Sequence, residues 1–84
     1  MKYGLLLDIE VIDFLNALPM RVRRLVCLRL RAIQTAPDAY AAFTEYDRAG
    51  RRVDVHLYAG FAISYWDDFA DRQVKVLRIE HAGR

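Results

Sequence analysis

The hydrophobic period of the chain changes once, near Pro37. Before that point apolar residues recur at helical spacing, as Val11, Phe14, Leu15 and Leu18 and then as Val22, Leu25, Val26, Leu30 and Ile33. After it they alternate, with Val53, Val55 and Leu57 set between Arg52, Asp54 and His56. Phe61, Ile63 and Tyr65 likewise alternate with Ala62, Ser64 and Trp66. Proline turns its predecessor away from helical angles, so Ala36-Pro37 makes the change abrupt. A chain that moves from period 3.6 to period 2 in this way is restricted to α+β architectures, with helices laid on one face of a sheet.

The elements follow from the same pattern. Lys2–Leu7 is expected to be a first strand, and Asp8 a helix N-cap with Glu10 and Asp13 near the positive helix end. Pro19 inside one long helix would cost about 3 kcal/mol, so the spacing predicts two helices, Asp8–Asn16 and Pro19–Thr35. Phe43–Asp47 reads as a short edge strand, and Arg48-Ala49-Gly50 as a turn. An antiparallel meander of Arg52–Leu57, Phe61–Trp66 and Gln73–Glu80 completes a twisted sheet. The helical crossover lets the first strand lie parallel to a later one, and the last strand is the expected neighbour. In that strand Val74 and Val76 should face one side and Leu77 and Ile79 the other, which suits an interior position.

A three-residue connection at Tyr58-Ala59-Gly60 would set Leu57 opposite Phe61, His56 opposite Ala62, Asp54 opposite Ser64 and Arg52 opposite Trp66. On that register His56, Ala62 and Arg78 form one row on the exposed sheet face, and Arg52 makes a cation–π contact with Trp66. The exposed face is then polar, basic and partly aromatic.

Composition narrows the function. At 84 residues the chain is expected to form a single domain, 1–84, and its 55% hydrophobic content supports a core without staples. One cysteine, Cys27, excludes an intrachain disulfide, suits a reducing, cytoplasmic compartment, and is expected in the core. No charged-then-apolar leader and no run approaching the roughly 18 residues of a membrane span is present. Two histidines and one cysteine at no ligand spacing predict no metal, and with no glycine-rich phosphate loop no cofactor is expected.

Charge is distributed unevenly. From Phe14 to Ala36 there is no acidic residue, yet five arginines fall there. Arg21, Arg24 and Arg31 share a helix face about 80° wide at 100° per residue. This stripe is either a solvated face that keeps a small protein soluble or a surface that meets phosphates. Metal-free RNA cleavage would need a base for the 2′-hydroxyl, an acid for the leaving oxygen and cations for the phosphorane. His56 and His81 are the side chains that titrate near neutrality, and Arg78 supplies charge. Tyr40, Phe43, Tyr46, Trp66 and Phe69 offer more aromatic surface than a small core needs, which fits a protein-binding face instead.

The Asn16-Ala17-Leu18-Pro19 junction, the strand Gly60-Phe61-Ala62-Ile63-Ser64-Tyr65 and the run Val76-Leu77-Arg78-Ile79-Glu80-His81 with Arg84 resemble the RelE/ParE superfamily of bacterial toxins, across nearly the whole chain. The resemblance implies a small toxin of a type II toxin–antitoxin module, monomer or dimer when free, neutralised by an antitoxin encoded beside it. RelE-like members cleave mRNA on the ribosome and ParE-like members poison DNA gyrase. It further implies a working basic end made by Arg78, His81 and Arg84; His56 has no counterpart in the family pattern and is a candidate by its expected place beside Arg78, while Arg52, Trp66, Arg21, Arg24 and Arg31 are candidate target-binding residues by their charge and aromatic character. The sequence departs from the ribonuclease pattern at Ala62, where the arginine that holds the scissile phosphate would fall, and it ends at Arg84 without the base-stacking tyrosine. Those departures keep open a non-catalytic member that only engages an antitoxin or another protein.

Overall fold

The computed structural model describes residues 3–83. Its elements run in the order β1 (Gly4–Leu7), α1 (Ile9–Asn16), α2 (Met20–Thr35), a 3₁₀ turn (Pro37–Tyr40), β2 (Phe43–Tyr46), β3 (Arg52–Tyr58), β4 (Phe61–Asp68) and β5 (Gln73–His81). The strands form one sheet in the order β1-β5-β4-β3-β2. β1 lies parallel to β5 and the other neighbours are antiparallel, as the helical crossover between first and last strands requires. Both helices pack on the same side of the sheet, an α+β fold of the expected kind.

The core lies between the helices and the centre of the sheet. Val11 and Leu15 of α1 and Val26, Leu30 and Ile33 of α2 meet Phe61, Ile63 and Tyr65 of β4 and Val74, Val76 and Ile79 of β5. Each such aliphatic or aromatic side chain contributes roughly 1.5–3 kcal/mol of burial. The arc of α2 that faces the sheet is narrower than the sequence stripe. Leu25 sits about 100° round the helix from Val26 and is 45% exposed. Cys27, one step to the other side of Val26, is exposed rather than in the core. Asp8 occupies the N-cap position of α1 through its backbone, whose carbonyl accepts from Val11 and Ile12, without a side-chain cap.

Two features of the sheet overturn the expected register. Tyr58 pairs with Phe61, leaving a two-residue loop at Ala59-Gly60 rather than a three-residue one. Ala59 and Gly60 both have positive φ, 53° and 84°, which is the type I′ turn whose twist matches that of paired strands. Every expected partner in the hairpin moves by one residue, and a one-residue shift reverses the faces of β3. Asp54 and His56, opposite Tyr65 and Ile63, point toward the helices, whereas Val53, Val55 and Leu57 belong to the open face. Val53 and Val55 are nonetheless buried, flanked in their rows by Glu45 and Phe43 of β2. The second feature lies in β5. Tyr65 pairs with Val76 and Ser64 with Arg78, so Leu77 is the extra residue of a β-bulge. The bulge lets Val74, Val76 and Ile79 all face the helices, where alternation alone would have sent Ile79 to the other side.

Candidate functional site

The face of the sheet that carries no helices brings several polar groups together. One row across it runs Phe43, Val55, Ser64, Arg78 from β2 to β5. Ser64 is 1% exposed. Arg78, brought beside Ser64 by the bulge, donates from Nη2 to the Ser64 hydroxyl at 3.4 Å and from Nε to a Glu80 carboxylate oxygen at 3.1 Å. Beside this row a shallow cleft of about 330 Å³ opens, with Arg78 and Ser64 on one side and Glu45, Asp47 and Arg51 on the other.

Trp66 anchors the neighbouring part of the face. The Arg51 guanidinium lies 4.6 Å from its ring and the Lys75 ammonium 5.0 Å. Each cation also holds a carboxylate: Arg51 Nε reaches Asp47 at 2.8 Å, and Lys75 Nζ reaches Asp68 at 2.7 Å and Asp71 at 3.1 Å. Asp47 also accepts from the backbone N–H groups of Arg51 and Ala49, at 2.9 and 3.0 Å. Those bonds, first the Arg51 N–H, hold its carboxyl below the usual range. The Lys75 ammonium does the same for Asp68, and Asp68 in turn raises Lys75. Arg51, Lys75 and Arg78 are thus each engaged by an acid, so the face is charge-balanced rather than basic. Only the Arg78–Glu80 pair is exposed on both side chains, at 52% and 55%, and such a pair is worth about 0–1 kcal/mol, so an anion can compete for that arginine.

The expected constellation of His56 with Arg78 is not assembled. His56 sits on the helix side, its Nδ1 2.8 Å from the Tyr40 carbonyl oxygen. That contact makes Nδ1 the donor and leaves Nε2 buried with no hydrogen-bond partner among the described residues. Its ring lies against Tyr40 and parallel to Tyr58, and Arg29 covers both tyrosines at 5.2 and 4.1 Å. Burial lowers its pKa and the Arg29 charge lowers it further, against the opposing backbone bond. His81 pairs with Phe61 and packs on the rings of Phe14 and Phe61 at 5.5 and 5.2 Å, again on the helix side. Arg84 lies outside the described residues. Arg52 turns to Asp54, at 3.1 Å, and the cations on Trp66 are Arg51 and Lys75 instead. Ala62 pairs with Leu57 and Glu80, not with His56 or Arg78. The β3–β4 hairpin register moves His56 and Arg52 to the helix side, and the pairing of β5 with β4 sets Glu80 rather than Arg78 beside Ala62.

What the open face can do chemically follows from its inventory. It presents guanidinium donors, an aromatic plane, a buried hydroxyl and carboxylates, with neither described histidine among them. Sequence reasoning overlooked Arg51, Lys75 and Ser64. The i, i+4 spacings of Asp47 with Arg51 and Asp71 with Lys75 were visible, but the partner tryptophan was not. Arg21, Arg24 and Arg31 are exposed on the outer side of α2, and none forms an ion pair among the described residues.

No protein-family model matches the chain. No curated protein matches it either. Solved structures do. The toxin–antitoxin complex RelBE2 from Mycobacterium tuberculosis superposes with a TM-score of 0.81 at 16% identity, over 96% of this chain and 99% of that one. The archaeal RelE–RelB complex from Pyrococcus horikoshii OT3 gives 0.80 at 16% identity, over 100% and 99%. The isolated E. coli RelE toxin gives 0.68 at 18%, over 98% and 86%. At these identities the likeness is one of fold, and in the two complexes it covers 96–100% of this chain and 99% of the other.

Proposed function

We propose that the chain is the toxin of a type II toxin–antitoxin module, cytoplasmic, and restrained by a protein antitoxin encoded beside it. The observation that supports this most is the superposition on RelE chains at TM-scores of 0.81 and 0.80 with almost no residue of either partner left over. Two of those neighbours are complexes of a toxin with its antitoxin. On this reading the open face meets the target, translation or DNA gyrase, through Arg78, Arg51 and Trp66. Arg78 is held on a central strand, which gives it the rigid backbone a functional group needs.

A second reading is a member that binds without chemistry, and the distribution of groups favours it. Arg78, Arg51 and Lys75 already hold carboxylates, and His56 and His81 sit on the helix side. Inducible expression with and without the adjacent reading frame tests the toxin assignment. Growth arrest relieved by the neighbour's product is the expected result, and unimpaired growth at full expression would remove it. In arrested cells, primer extension on transcripts and gyrase supercoiling separate the targets. Intact transcripts and unaltered supercoiling, with the two proteins still co-purifying, are the outcome of the second reading.

A further inference from the structure

The segment that leads from α2 through the 3₁₀ turn and β2 is attached to the molecule without a core of its own. No residue from 36 to 46 is buried. Its attachments are hydrogen bonds. Tyr65 Oη donates to the Pro37 carbonyl, and His56 Nδ1 to the Tyr40 carbonyl at 2.8 Å. The Ala42 N–H donates to the Val55 carbonyl at 2.7 Å, and Thr44 Oγ1 to Asp54 at 3.0 Å, beside the short ladder of β2 with β3. A stretch fixed by a few bonds and no buried apolar side chain can open while the rest of a protein stays folded. His56 is the side chain among these whose ordinary range spans neutrality.

The surroundings of His56 suit only its neutral form. A carbonyl can only accept, so Nδ1 carries the proton, and Nε2 is an acceptor buried without a partner among the described residues. A second proton would make Nε2 a buried donor with nothing to receive it, the costly case. The groups that face the ring do not answer a positive charge. From α2 comes Arg29, itself a cation, over Tyr40 and Tyr58. The turn contributes the Tyr40 ring at 5.2 Å, β3 the Tyr58 ring at 6.1 Å, and β4 the apolar Ile63 opposite. β2 places Thr44 and Tyr46 further along, beside Asp54 and Arg52. The nearby acids Asp38 and Asp54 gather with Arg52 around a separate cleft, where Arg52 and Thr44 hold Asp54. We infer that His56 is a proton-sensitive clasp: neutral, it holds residues 36–46 on the sheet, and charged, it leaves Tyr40 and lets that segment open from a molecule that is otherwise folded. Opening uncovers the edge of β3 at Val53 and Val55 and displaces Glu45, part of the wall of the open-face cleft. Acidification sensed on the helix side of the sheet is thereby passed to its other face. The device is read from the packing of this segment and does not depend on the toxin assignment.

Amide hydrogen exchange of the full chain, corrected for the intrinsic rate at each pH, tests the clasp. Protection of residues 39–46 should stand at least about tenfold below that of β4 and β5, the mark of an opening distinct from global unfolding. Between about pH 7.5 and about pH 5 that protection should fall at least about threefold, with a ceiling of about thirtyfold set by the ordinary histidine value of about 6.5. His56→Asn keeps a donor near the Nδ1 position that does not titrate, and should show equal protection of the segment at both pH values. A second measurement needs no variant: in the parent, the ring resonances of His56 should titrate below the ordinary midpoint, and the amide shifts of residues 40–42 should follow the same curve. Segment protection that is indifferent to pH, or an equal fall in His56→Asn, overturns the inference. So does protection of the segment equal to that of the central strands, or a His56 titration at the ordinary midpoint with no answering shift at residues 40–42.

Discussion

Arg78 and Glu80 should change target engagement in opposite directions. The Arg78 side chain is 52% exposed and that of Glu80 is 55% exposed, with Nε and Oε2 3.1 Å apart. At that exposure the pair contributes about 0–1 kcal/mol to folding. The second bond of Arg78, to Ser64 at 3.4 Å, is long and adds little. Arg78→Ala therefore costs under about 1 kcal/mol, which for a chain of this size lowers the melting temperature by less than about 6 °C. Binding is another matter. If Arg78 meets an anionic group of the target, its loss should weaken growth inhibition or target affinity at least tenfold, about 1.4 kcal/mol. Glu80→Gln removes the acid that competes for the same guanidinium. It should leave stability nearly unchanged and raise affinity by up to about fivefold, the equivalent of the roughly 1 kcal/mol the pair can hold. Growth on graded induction and titration against purified target read both effects, and circular dichroism supplies the stability control. If Arg78→Ala retains full potency, or if both variants shift potency in the same direction, the open face does not work through this guanidinium.

Two further outcomes probe the structure behind the site. Tyr65 is 0% exposed, and its hydroxyl donates to the Pro37 carbonyl at 2.5 Å, tying the 3₁₀ turn to β4. Tyr65→Phe keeps the ring and strands that carbonyl, so urea unfolding should show a loss of about 1–2 kcal/mol; a loss below about 0.3 kcal/mol would mean that the bond is not made. His56 supplies the pH dependence: because burial first, and Arg29 after it, lower its pKa below the ordinary 6.5, the unfolded chain binds the proton more readily. Its contribution is complete above about pH 6.5 and is lost as pH falls from there through the folded-state pKa, at no more than about 1.4 kcal/mol per pH unit. His56→Phe should flatten stability in that window and leave the carboxylate-driven loss at lower pH, whereas a curve identical to the parent would place the titration elsewhere.

Much of the fold was legible in residue order. Helical spacing before Pro37 and alternation after it specified two helices and a meander, because those periods reflect the geometry of helix and strand themselves. The parallel pairing of β1 with β5 followed from having helices between them. The working surface was not legible in the same way. Alternation in β3 says that Val53, Val55 and Leu57 share a side but not which side the helices cover, and both sides of that strand turn out to be largely buried. The choice fell to the Ala59-Gly60 turn, whose two positive φ angles set a register one residue from the expected one. The bulge at Leu77 is likewise a tertiary decision: it reconciles Val74, Val76 and Ile79 with a single core and in doing so aims Arg78 at Ser64 on the open face. Periodicity is a local property of the chain, whereas turn type and bulge are settled by how strands twist and pack together. The sequence by itself therefore determined which elements exist and their order, and the packed sheet alone decided that Arg78 would stand with Arg51 and Trp66 while His56 and His81 turned to the helices.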